Sequence, residues 1–182
     1  MSASRAGWIG IGIGIGVAVA GCGGGGDGAA FVGTYQITSH RHNTLQGSTV
    51  SCADPGPAVT NGAPYLALIV DPFFADPDFI RLQQCTAPGA CTDELVTFNP
   101  GDPGLITESA NTQTGGGITS CGLYAGRATA ALTGELVRVE VRSWAEFVDL
   151  PASDCTLSRA EDLRDSAACR EVEIWDATRV AP

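Results

Sequence analysis

Few side chains in this sequence are of a type and spacing that does chemistry. Both histidines, His40 and His42, lie in "SHRHN". On an extended strand such a pair shares one face, about 7 Å apart. Two imidazoles so placed can hold a metal weakly or titrate near neutral pH. The plainer expectation, adopted here, is a polar pair exposed at a strand end. In "DPFFADPDF", Asp71, Asp76 and Asp78 surround Phe73, Phe74 and Phe79. Carboxylates at that density can hold calcium, but the D-x-D-x-D-G spacing is missing, so an acidic turn rich in proline is expected. The adjacent Phe73 and Phe74 are expected to plug the core; the alternative is an apolar lip at the mouth of a barrel.

Catalysis finds no foothold. A nucleophilic Ser or Cys needs a base within reach. No G-x-S-x-G occurs, and every basic side chain is arginine, which rules out a lysine dyad. Gly21, Gly23 and Gly26 formally match G-x-G-x-x-G, but a dinucleotide site needs a preceding strand, a following helix and a later acidic residue. None is present. The expectation is a protein that is not an enzyme, with no catalytic residue, no metal and no cofactor.

The seven cysteines divide unequally. Cys22 stands in "VAVAGCGGGG", behind an n-region with Arg5 and an uncharged run from Trp8 to Ala20. A charged start, an apolar stretch of about 7–15 residues and small residues before a cut describe a secretory signal. A membrane-spanning helix needs about 20 apolar residues. Val19-Ala20-Gly21-Cys22 resembles the lipobox of bacterial lipoproteins. The resemblance implies a diacylglycerol on the Cys22 thiol, cleavage before Cys22 and a membrane anchor. It also implies the outer membrane, because Gly23 stands where an aspartate would favour inner-membrane retention. Residues 1–21 are then a signal peptide, 22–30 a lipidated glycine-rich tether, and 31–182 the folded domain. Each buried methylene of an acyl chain contributes roughly 0.8 kcal/mol, and two chains make attachment stable.

Six cysteines remain: Cys52, Cys85, Cys91, Cys121, Cys155 and Cys169. An even number in an oxidising compartment implies three disulfides. Cys85 and Cys91 flank "TAPGA", whose Pro-Gly favours a turn. Cys155 and Cys169 bracket a short polar stretch, which leaves Cys52 with Cys121. Metal binding by these cysteines would require C-x-x-C pairs, and none occurs.

These residues must be positioned by strands. In "ELVRVEVRSWAEF", Val137, Val139, Val141, Ala145 and Phe147 alternate with Arg138, Glu140, Arg142 and Glu146, with Trp144 on the charged side. A period of two indicates a half-buried antiparallel strand. Thr133-Gly134 turns back to "GRATAAL", completing a hairpin. In "CREVEIWDATRV", Val172, Ile174 and Val180 alternate with Glu171, Glu173 and Arg179. Earlier segments bring the expectation to eight or nine strands, with one helix over about residues 157–168. The fold class expected is all-β, an antiparallel barrel of about eight strands, with a β-sandwich as the alternative. Gly33-Thr34-Tyr35 on the first strand and Arg179 on the last resemble the lipocalin pattern, in which a Gly-x-Trp packs beneath a late arginine; Tyr35 stands here in place of the Trp. The strand count, with an apolar face on each strand, leads to the expectation of a small apolar ligand or lipid inside the barrel. The alternative is a structural or protein-interaction domain of the cell envelope. The net charge of −10 repels phosphate backbones, so nucleic acid is not an expected partner.

Overall fold

The computed structural model describes residues 28–44, 52–74, 76–100, 105–115 and 118–180. The lipobox, Cys22 and the tether before Gly28 lie outside the described residues. Eight strands form one antiparallel sheet: β1 (Gly33–Thr44), β2 (Tyr65–Val70), β3 (Ile80–Ala87), β4 (Ala90–Phe98), β5 (Leu105–Gly115), β6 (Ile118–Thr133), β7 (Leu136–Asp149) and β8 (Glu171–Arg179). One helix, α1 (Leu157–Ser166), stands between β7 and β8. The expected strands "GITSCGLYA" and "GRATAAL" are one continuous strand, β6, which brings the count to eight. Gly134, at φ 60°, makes the turn to β7.

The strand order is β4-β3-β2-β1-β8-β7-β6-β5. Each half is a meander, and the first and last strands join the halves. Tyr65-to-Val70 side chains and those of β3 share a core with β7 and β8: Leu66, Leu68, Ile80 and Leu82 pack with Val137, Val139, Trp175 and Ala177. Only a sheet rolled around its own inner face can bring such distant strands together. All eight strands belong to one antiparallel sheet, as the expected all-β class requires. The ring is not closed, since no ladder joins β4 to β5 among the described residues.

Where β1 meets β8, Tyr35 pairs in register with Arg179. An Arg179 Nη2 hydrogen is donated to Tyr35 Oη at 2.7 Å, and the guanidinium lies 5.3 Å from the ring centroid. Tyr35 donates in turn to the Phe31 carbonyl at 2.6 Å. Gly33, Tyr35 and Arg179 thus form one contact that ties the N-terminal segment to both joining strands.

A second cluster lies on the outer face. Trp144, placed by alternation among charged residues, is covered there together with Leu123, Ala125 and Val172 by Ala160 and Leu163 of α1. A ten-residue helix is marginal alone. Thr156 caps it by accepting from the Arg159 amide, and disulfides clamp both flanks. Here the expected pairing is corrected. Cys85–Cys91 forms as expected, but Cys121 joins Cys155 and Cys52 joins Cys169. The ten residues of α1 span about 15 Å, which holds Cys155 and Cys169 apart. A disulfide needs α-carbons within about 7 Å. Each cysteine instead staples its end of the helix to a different partner, Cys121 on β6 or Cys52 before β2.

Candidate functional site

The histidines are positioned by an irregularity. Along β1, Tyr35 and Ile37 face the interior at odd positions. Pairing with β8 then shifts between Ile37 and Ser39, where Thr38 is the extra residue. A bulge of one residue reverses the parity of all that follows. His40 and His42 therefore face inward at even positions, opposite Trp175 and Glu173. Strand β8 carries Glu171, Glu173, Trp175 and Ala177 on this same inner face, while Val172 and Ile174 pack outward beneath α1.

The expectation of exposed histidines is thereby corrected. The His40 side chain is only 9% exposed, and its Nε2 lies 2.7 Å from Glu173 Oε1. Its ring stacks on Trp175 with centroids 5.1 Å apart and planes at 18°. His42 Nε2 lies 2.8 Å from Glu171 Oε1. Gly62 packs close to the His40 ring: a Cβ there would lie 3.1 Å from Nδ1. Beyond the pairs, Ser143 Oγ stands 3.5 Å from Glu171 Oε2. Burial pushes the Tyr124 phenol above its usual range; its hydrogen bond with Ser143 works the other way, and the Glu171 charge adds to the rise.

Among the described residues, His42, Glu171 and Glu173 place one ligand atom each within 4.8 Å of one another. An imidazole nitrogen with two carboxylates is a mixed N/O set. Such a set could hold a first-row divalent cation such as zinc, with open positions left for water. All three residues are half-buried. The sequence offered His42, but not the glutamates: their partnership depends on the β1–β8 register and on the bulge.

The other candidates are placed differently. Phe73 and Phe74 do not plug the core: they are 83% and 52% exposed. The correction has a local cause, since the loop from Asp71 to Phe79 is pinned by its own aspartates. The Asp71 carboxylate accepts from the Phe73 amide at 2.7 Å, from Thr97 Oγ1 at 2.5 Å and from Arg81 Nε at 3.1 Å. Asp76 Oδ1 accepts from the Asp78 amide at 3.0 Å. This is the acidic turn that was expected. On the outer face, Arg127, Arg142, Arg164 and Trp144 line a groove of about 420 Å³ with Glu140 and Asp165. Arg142 pairs with Glu140 there, and Arg164 with Glu161.

Taken together, these features define a disulfide-stapled all-β domain: one rolled antiparallel sheet, a clamped outer helix and a histidine–glutamate cluster at one end of its inner face. No family model, curated protein or solved structure matches the chain.

Proposed function

We propose that this chain is a lipid-anchored protein of the cell envelope, in the outer membrane, whose β domain binds a first-row divalent cation through His42, Glu171 and Glu173. The observation that carries the binding is the convergence of those three ligand atoms within 4.8 Å on neighbouring strands. Anchoring rests on Val19-Ala20-Gly21-Cys22 and on the pairing of the six other cysteines without Cys22. The inner core supports a polar site over an apolar cargo. Tyr35, Phe98 and Trp175 occupy its middle, fully buried among Leu66, Leu82 and Val139. The likeness of Gly33, Tyr35 and Arg179 to lipocalins supports a shared way of joining first and last strands, not a shared ligand.

The test is calorimetric titration of the chain with zinc, beside His42→Ala and Glu171→Gln variants. Saturable binding is expected, with affinity falling by about tenfold or more in each variant. Zinc heats absent from the parent, or unchanged in His42→Ala, would overturn the cation site. That outcome would favour a scaffold for envelope proteins. The edge strands β4 and β5, which have no ladder partner on their outer sides among the described residues, support this second reading, because a free edge can accept another strand.

A further inference from the structure

We infer that the loop carrying Phe73 and Phe74 rests on the lipid surface to which the chain is anchored, so that the Gly33–Arg179 end of the sheet faces the bilayer. The inference rests on the anchoring reading above and adds a second, non-covalent membrane contact to it.

Two neighbouring phenylalanines at 83% and 52% exposure form a presented apolar feature. Their rings meet edge to face at 5.5 Å, and Phe74 stacks on Phe79 at 4.9 Å. The loop cannot readily fold them away. Besides the Asp71 and Asp76 bonds, the Asp71 amide donates to the Phe79 carbonyl at 2.9 Å and the Phe79 amide to the Asp76 carbonyl at 3.0 Å. Val32 and Val70, at 38% and 37% exposure, lie at the same end. The loop carboxylates are Asp71, taken up by Arg81 and Thr97, and the half-buried Asp76 and Asp78. Two remaining acids suit a zwitterionic surface better than an anionic one.

The occupant is indicated by where the chain leads. Gly28 opens the described domain and packs on this same loop, where a Cβ would overlap the Pro77 carbonyl oxygen. Five residues, hence six Cα–Cα steps, separate it from Cys22. At full extension they reach about 22 Å, whereas the twelve residues of β1 span about 40 Å to the far end. A tether of that reach can set a lipid on Cys22 beside the phenylalanine loop and falls short of the far end of β1.

The experiment has two arms. In the first, the full chain is produced in a Gram-negative host with an alkynyl fatty acid. Label on the parent and none on Cys22→Ala is expected; an unlabelled parent would overturn the anchoring reading and this inference with it. In the second, the chain from Cys22 onward is coupled through that thiol to maleimide lipid in phosphatidylcholine vesicles, which makes attachment independent of the host. Phe73→Trp and Phe147→Trp variants are compared, with and without brominated acyl chains. Phe147 is 79% exposed toward the other end of β7. About twofold stronger quenching of the Phe73→Trp variant is expected, because the apolar face of a surface-bound element lies about 5–10 Å deep. Equal quenching of the two would overturn the lipid contact while leaving the anchor standing.

Discussion

Asp71 shows how one side chain can set the shape of a loop. It is almost fully buried. Burial pushes its carboxyl up, but the hydrogen bonds from Thr97, Arg81 and the Phe73 amide, with the Arg81 charge, outweigh it and bring the pKa from 3.8 to about 2. A carboxyl depressed in the folded state adds stability above its unfolded pKa and loses it as pH falls through the folded one. Asp71→Asn is therefore expected to cost about 3 kcal/mol at pH 7, since Arg81 loses its buried anion. In urea melts, the gap between parent and variant should narrow from pH 4 to pH 2 (about the window between the two pKa values). A gap that stays constant across that window would contradict this account. Sequence reading identified the acidic turn. It missed that Asp71 folds inward, because Arg81 and Thr97 come from two other strands.

Among the elements, α1 and its two disulfides carry the clearest consequence. Cys52–Cys169 joins residues 117 apart, whereas Cys85–Cys91 joins residues 6 apart. Loop-closure entropy grows with loop length, so replacing Cys52 and Cys169 with serine is expected to cost about 5 kcal/mol, against about 2 kcal/mol for the Cys85–Cys91 pair. Guanidinium melts of the two double variants test the order; equal losses would count against it. Strand β1 offers a second test. Deleting Thr38 removes the bulge but leaves Ser39 opposite Asp176 and His40 opposite Trp175, so His40 and His42 should still face inward. Zinc binding should then persist and Tyr35 should still meet Arg179, which calorimetry and near-ultraviolet circular dichroism can follow together; loss of zinc binding would count against this register.

At the scale of the whole molecule, the two clusters are opposite faces of the same strands. Trp175 reports the inner core and Trp144 the outer one. Strands β6, β7 and β8 contribute side chains to both, so the domain is expected to unfold in one transition. Trp144→Phe and Trp175→Phe variants, each relying on the remaining domain tryptophan, should give coincident fluorescence and circular dichroism melts once normalised. Separated transitions would show that the helix-covered face unfolds independently. The same architecture sets the proposed polarity, with phenylalanines toward the lipid and the histidine–glutamate cluster a strand length away.

Much of this molecule follows from local pattern. Alternating residues determined the strands, Thr133-Gly134 the β6–β7 turn, and the short polar run before Cys169 the helix. These depend on neighbours in the chain, and periodicity reports them directly. Tertiary structure alone decided which face of each strand turned inward. In β8 the apolar Val172 and Ile174 go outward because α1 covers them, leaving Glu171 and Glu173 to meet the histidines inside. Tertiary structure also decided the cysteine partners, since a helix of ten residues separates Cys155 from Cys169. The inward turn of His40 and His42 depends on Thr38 being left unpaired, because a shift of one position reverses every side chain beyond it. Such a shift arises from the pairing of two strands more than a hundred residues apart in sequence, and the alternation within either strand alone carries no trace of it.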